Sequence, residues 1–244
     1  MIVLSVHDGH DAGACLLRDG RVLMVSSEER RRNVKNYPGV PEQSIAALFE
    51  RTGVDPKDVD MVAVSGRIRT TVPTREYKPI YSVLRVLSSL ARSEWATNLG
   101  RALLSRVRKR QELLDCLAQF GMADKPMTSY DHHLCHAACA HHHRPWADDA
   151  LILTLDGAGD GLCATVNVGR GLDIETIART PKFHSIAACM YSGITAHLGL
   201  KPWEHEYKVM GMAPYGQAEY VAPILRGMFR TDGLKFRNMT GRIG

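Results

Sequence analysis

Tyr130-Asp131-His132-His133-Leu134-Cys135-His136 is followed by a short helical run, the apolar segment Leu151-Ile152-Leu153-Thr154-Leu155, and Asp156-Gly157-Ala158-Gly159-Asp160-Gly161. The reading of this stretch decides the fold. On a helix, His132 and His136 are four residues apart and share one face. Imidazole pairs at this spacing hold divalent metals in zinc enzymes. Asp156 ends a strand that reads as buried, where a carboxylate can point into a cleft. The pattern predicts a His132, His136 and Asp156 half-site for iron, manganese or zinc, beside a glycine loop that phosphate can approach. The plainer alternative is a solvated, histidine-rich helix end, since His141, His142 and His143 follow. The strand and Asp-Gly loop that come next favour the site.

Upstream, the chain opens with the same pattern. Ile2 to Val6 reads as a strand, Asp8-Gly9-His10-Asp11 as a turn, and Ala12 to Leu17 as a second strand. Asp19-Gly20 is a two-residue hairpin signal returning a third strand at Arg21 to Val25. Asp8-Gly9-x-x-x-Gly13-x-Cys15 is matched by Asp156-Gly157-x-x-x-Gly161-x-Cys163. A chain that repeats strand, Asp-Gly turn and strand predicts two related halves. Backbone amides in such turns make anion-binding concavities, and glycine lets phosphate come close. Between the copies, Glu28 to Lys35 reads as a charged loop over the site. A helix starts near Pro41-Glu42, buries Ile45, Leu48 and Phe49, and stops at Gly53, with a strand at Asp60 to Val64. A strand near Met127 leads into the histidine helix. After the second copy, strands at Leu162 to Val168 and Leu172 to Ala178 pair around Gly169-Arg170-Gly171, and His184 to Leu198 reads as one helix. A last helix covers Ala218 to Met228, and the polar tail from Thr231 closes nothing.

The 244 residues suffice for one large domain or two small ones, with 45% hydrophobic and 23% charged residues, as in ordinary globular proteins. No apolar run approaches the roughly 20 residues needed to span a bilayer. Six cysteines without CxxC spacing suit reduced core thiols and a cytoplasmic setting. The net charge of +5 is concentrated between Arg67 and Arg110, where eleven Arg or Lys face two acids, Glu76 and Glu94. This block reads as a helical insertion at about 67–125, with Leu84, Leu87, Leu90 and Trp95 on its apolar side and a solvated basic face. A polyanionic partner is the alternative use of that face.

Six segments, in order, resemble the O-carbamoyltransferases of antibiotic tailoring and nodulation-factor decoration. They are His10-Asp11; Glu28-Glu29-Arg30 with Lys35; Asp131-His132-His133-x-x-His136-Ala137-Ala138; Leu153-Thr154-Leu155-Asp156-Gly157; Tyr191-Ser192-Gly193-Ile194-Thr195; and Glu206-Tyr207-Lys208-Val209-Met210-Gly211-Met212-Ala213-Pro214-Tyr215-Gly216. The resemblance implies an α/β, actin-like ATPase (ribonuclease H-like) duplicated fold, similar in its amino-terminal domain to the tRNA threonylcarbamoyl transferase. The first half would be 1–125 and the second would begin at 126. It implies Fe2+ on His132, His136 and Asp156, with Mn2+ or Zn2+ suiting the same donors. It also implies a second domain that makes carbamoyl-adenylate from carbamoyl phosphate and ATP, with Mg2+ there. The expectation is that 126–244 is a truncated second half, that the carbamoyl-adenylate-forming domain lies on a missing region or a partner chain, and that this chain alone is inactive.

On that reading, His10, Lys35 and Lys208 are the candidate catalytic residues, with His10 as general base because imidazole titrates near working pH. Asp11, Gly157, Gly159, Gly161, Glu206 and Tyr207 are the candidate cofactor-binding residues. The acceptor is an alcohol: a small molecule, a sugar or a hydroxymethylated nucleobase. Three other readings compete. An actin-like sugar kinase would need ATP alone, and a non-catalytic partner-binding fragment would use the basic block. A His/His/Asp metallohydrolase would explain the ligands but not the repeat.

Overall fold

The computed structural model describes residues 1–67 and 111–240. The chain divides into two compact units, Met1–Tyr130 and Asp131–Gly244. In the first, β1 (Ile2–His7), β2 (Gly13–Arg18) and β3 (Arg21–Ser27) form an antiparallel meander. Asp19 and Gly20 both take positive φ, 50° and 77°, the conformation that a two-residue hairpin between right-twisted strands requires. β4 (Met61–Ser65) lies parallel to β1, and β5 (Met127–Tyr130) parallel to β4, giving the order β3-β2-β1-β4-β5. Because β5 completes this sheet, the first unit ends after Tyr130 and not at 125.

Helix α2 (Glu42–Thr52) covers the sheet with Ile45, Leu48 and Phe49 buried, and Gly53 ends it at φ 66°. Leu4, Val6, Leu16, Val62 and Val64 meet that helix in one core. Residues 111–119 are helical, and Leu113, Leu117 and Met122 are buried in the same core. The end of the stretch read as an insertion is therefore part of the first unit's interior; the helix read across Leu84, Leu87, Leu90 and Trp95 lies outside the described residues. Glu28 to Lys35 is likewise not the expected loop. Glu28–Arg32 is a helical turn, α1, whose Glu28 carboxylate is fully buried. It accepts from Arg32 Nε (2.8 Å) and from the amides of Gln43 (3.1 Å) and Ser44 (2.7 Å), so it closes the first turn of α2.

In the second unit, α3 (His132–His142) packs on a three-stranded antiparallel sheet of β6 (Ala150–Gly159), β7 (Leu162–Arg170) and β8 (Asp173–Pro181). Strand β6 is buried on one face only. Ile152 and Thr154 point inward, while Leu151, Leu153 and Leu155 are exposed. The β6–β7 turn is Asp160-Gly161, with φ 50° and 86°, a second copy of the Asp19-Gly20 turn. The expected glycine loop at 156–161 is thus the end of β6, out of register between Leu155 and Gly159, plus a two-residue turn. The β7–β8 turn falls at Gly171-Leu172, with Arg170 still paired to Asp173.

The single helix expected over His184 to Leu198 is broken into a 3-10 turn (Lys182–His184), a π-helical segment (Ala187–Tyr191) and α4 (Ser192–His197). Helices α5 (Glu206–Met212) and α6 (Ala218–Met228) follow. The tail is not open: β9 (Phe229–Asp232) and β10 (Lys235–Asn238) make a hairpin, and the Asn238 amide donates to His184 Nδ1 at 3.2 Å. Among the described residues, Cys116 and Cys163 are buried, but Cys139 is exposed, against the expectation of core thiols. Burial pushes the Cys116 thiol up to about 11, which keeps it protonated and inert. No helix among the described residues is long and apolar enough to cross a membrane.

Candidate metal centre

Helix α3 starts where two carboxylates satisfy its free amides. Asp131 accepts from the Leu134 amide at 3.0 Å, and Asp160, at the β6–β7 turn, accepts from the His132 amide at 2.7 Å. Its sheet-facing stripe is His133, Ala137 and His141, every fourth residue. His132 and His136 lie on the neighbouring stripe. Their Nε2 atoms are 3.0 Å apart, and Asp156 Oδ2 is 2.6 Å from the first and 3.7 Å from the second. Ligand atoms of His132, His136 and Asp156 all lie within 4.8 Å of one another, and this is the cluster of metal-binding type among the described residues.

The electrostatics favour a positive charge where the three atoms meet. The hydrogen bond with His132, helped by the His136 imidazole 3.7 Å away, holds the Asp156 carboxyl far below the usual carboxylate range, and the Asp156 hydrogen bond raises His132 above its ordinary value. The Gly157 amide fixes the other carboxylate oxygen, Oδ1, at 2.6 Å. Two imidazole nitrogens and one carboxylate oxygen, partly open to solvent, fit a divalent transition metal with coordination positions left for water or substrate.

Gly159 has a role other than the one expected. A Cβ there would fall 2.0 Å from His132 Cδ2, so the space this glycine leaves is filled by the His132 ring. Gly157 meets only Trp203 at 3.9 Å, and Gly161 faces open space. Gly169 does for His141 what Gly159 does for His132, with a Cβ lying 2.2 Å from His141 Nδ1. His141 is buried, bonds the Gly171 carbonyl through Nε2 at 2.9 Å, and meets Arg144 at 3.0 Å. His133, His141 and Asp160 are not among the candidate site residues that the sequence offers. The four-residue recurrence of His133, Ala137 and His141 is the signal for the two histidines, legible once histidine is allowed in a core.

The remaining candidates distribute as follows. His10 and Asp11 pair through Nδ1 and Oδ2 at 2.7 Å in the first unit, with Asp11 at φ 57°. Lys35 is exposed in the same unit. Neighbouring His7, not singled out by sequence, spans from Ser65 Oγ (2.6 Å) to the His10 carbonyl (2.9 Å). In the second unit, Glu206 accepts from the Trp203 amide (2.7 Å) and Ser192 Oγ (3.0 Å), tying together two of the segments that carry the resemblance. Burial opposes ionisation of Glu206, but these donors hold its carboxyl below the usual value. Tyr207 is exposed, edge-on to His205, and Lys208 is exposed with its ammonium 5.9 Å from the Tyr207 ring centre.

Fold and site together define an α/β protein with a two-histidine, one-carboxylate cluster. The family model described as "Carbamoyltransferase N-terminus" matches residues 3–243, and the chain belongs to that family. The nodulation protein NolNO of Sinorhizobium fredii is 31% identical over 209 residues, covering 85% of this chain and 28% of that protein. An uncharacterized Synechocystis sp. protein is 30% identical over 234 residues, covering 94% and 37%. The chain thus spans little more than a third of the first relatives' length or less. Among solved structures, YeaZ from Pseudomonas aeruginosa matches with a TM-score of 0.33 and 15% identity, over 74% of this chain and 68% of that one.

Proposed function

We propose that the chain is the amino-terminal part of an ATP-dependent O-carbamoyltransferase that moves a carbamoyl group from carbamoyl-adenylate to a substrate hydroxyl. The observation that carries the proposal is the convergence of His132, His136 and Asp156 within 4.8 Å, in a chain of the carbamoyltransferase family. The strand order supports an actin-like first half: β2 alone runs against the others, and β6–β7–β8 repeats the β1–β2–β3 meander. The carbamoyl-adenylate, made from carbamoyl phosphate and ATP, comes from a domain outside these residues.

His132, His136 and Asp156 hold the divalent ion, Fe2+ in this reading, with Mn2+ and Zn2+ suited to the same donors. When bound, the ion supplies Lewis acidity and a template for the phosphate or carbonyl oxygen. His10 takes the proton. Asp11 Oδ2, 2.7 Å from Nδ1, accepts the Nδ1 hydrogen and leaves the Nε2 lone pair for the acceptor hydroxyl. The alcohol oxygen bonds to the carbamoyl carbon, the bond from that carbon to the phosphate oxygen breaks, and AMP leaves with the electron pair. In this reading Lys35 and Lys208 offset phosphate charge, while the Gly157 amide is taken up by Asp156 Oδ1 at 2.6 Å.

Elemental analysis of the purified protein is expected to find about one transition-metal ion per chain, lost in the His132→Ala/His136→Ala double variant. Full retention of metal in that variant would end the assignment. With ATP, carbamoyl phosphate and an alcohol, carbamate is expected only when a carbamoyl-adenylate-forming domain is added; transfer by this chain alone would overturn the division of labour.

A further inference from the structure

We propose that Thr154 is the positioning residue of the metal centre, the group that sets the spacing between the helix and the strand that carry its ligands. The inference rests on the metal reading above and adds a residue to it. Thr154 is 6% exposed and sits two residues before Asp156 on the inward face of β6. Its Oγ1 lies 2.7 Å from Nδ1 of His133, which is 1% exposed and stands beside the ligand His132 on α3. The same oxygen accepts from the Thr165 amide at 3.0 Å and lies 2.7 Å from Thr165 Oγ1, its cross-strand partner on β7. Asn167 Nδ2 donates to Thr165 Oγ1 (2.8 Å) and to the Ile152 carbonyl (3.2 Å), and Thr176 Oγ1 donates to Asn167 Oδ1 (2.7 Å). With each hydroxyl donating once, the chain runs from Asn167 through Thr165 and Thr154 to His133 Nδ1. Buried polar groups so connected specify one arrangement, because slippage would leave several of them unpaired at once.

The location gives the network its purpose. Thr154–Thr165 and Leu155–Ala164 are the last regular rungs before β6 leaves register, and the irregular segment that follows presents Asp156. One oxygen therefore joins the final rungs of the ladder to α3. Two adjacent helix residues meet alternate strand residues, His133 on Thr154 and His132 on Asp156. Removing the first attachment frees the helix to move relative to the strand, and the ligand atoms lose their convergence.

The test is Thr154→Val, which keeps the side-chain shape and removes the hydroxyl, with Thr154→Ser restoring the hydroxyl. Fe2+ and Co2+ affinities are measured by chelator competition on folded protein, and the Co2+ visible spectrum is recorded. Valine is expected to weaken binding on the order of 10-fold and to change the Co2+ bands, with serine recovering most of the loss. Thr180→Val, another buried threonine of the same sheet, is expected to lower stability without changing affinity. Wild-type affinity and spectrum in Thr154→Val would overturn the proposal, as would an equal loss of affinity in Thr180→Val. A wild-type protein that binds neither ion would overturn the metal reading instead. Crystal structures of the wild type and Thr154→Val in the same metal state then decide the positioning role: a His132 Nε2 to Asp156 Oδ2 separation wider in the variant than in the wild type supports it, and an equal one ends it.

Discussion

The two units bury different chemistry. Among the described residues, the first buries seventeen apolar side chains and four polar ones, and the second buries six apolar and eight polar. In the first, α2 is held by Ile45, Leu48 and Phe49 on a sheet of leucine and valine. In the second, α3 is held by His133 on Thr154, His132 under Gly159 and His141 under Gly169. Aliphatic contacts are strong but tolerant of small shifts, since dispersion and area burial are non-directional. Hydrogen-bonded imidazoles contribute less net free energy and fix distance and angle. The unit that carries the cluster of His132, His136 and Asp156 is built in the second way. The difference teaches that here a polar interface fixes the geometry of that cluster, while the aliphatic one supplies stability.

Four measurements can break or sharpen that contrast. The largest effect is expected from Leu48→Ala, on the buried face of α2, which should cost the first unit ~2–5 kcal/mol by denaturant titration. Metal content should be unchanged; loss of metal there would blur the contrast. Next is Glu28→Gln. Burial opposes ionisation of Glu28, but Arg32 and the amides of Ser44 and Gln43 outweigh it and hold the carboxyl below its ordinary 4.5. A carboxyl lowered in the folded state stabilises fully above its unfolded value, and that contribution is lost as pH falls through the folded value. Wild-type stability should therefore decline as pH drops below 4.5, and Glu28→Gln should flatten the decline while costing roughly 2 kcal/mol at pH 7.

Gly159→Ala and Gly169→Ala form a matched pair. Each puts a Cβ into an imidazole, at 2.0 Å and 2.2 Å, and overpacking of this kind costs about 1–3 kcal/mol. Only the first should also release metal, because it displaces the ligand His132. Equal metal loss in both would mean the whole helix moves as one. The smallest effect is expected at the surface pair of Arg237 and Asp232, where Arg237→Ala should change thermal stability by less than about 0.5 kcal/mol.

Much of the first unit was legible in the sequence. Alternating apolar residues marked β1, β2 and β4, Asp19-Gly20 marked the hairpin, and Gly53 marked the end of α2, because each signal is local. The charged segment after β3 does not read as a helical turn because Glu28 is held by amides fifteen and sixteen residues away, which no local pattern reveals. The cluster of His132, His136 and Asp156 was legible from the four-residue spacing of the two histidines and the Asp-Gly after the apolar run. Its supports were missed, because threonine, asparagine and histidine in a core look like polar surface until their partners are known.

By itself the sequence determined most elements of the first unit, the repeated meander and the choice of His132, His136 and Asp156 as candidate ligands, all of which follow from periodicity and turn chemistry over a few residues. Only the tertiary structure decided that Asp156 closes on His132 and His136, that Gly159 serves an imidazole, and that Thr154 ties strand to helix. Those outcomes depend on the register between β6, β7 and α3. Register is fixed by contacts made across more than ten residues of chain, where sequence spacing carries no distance.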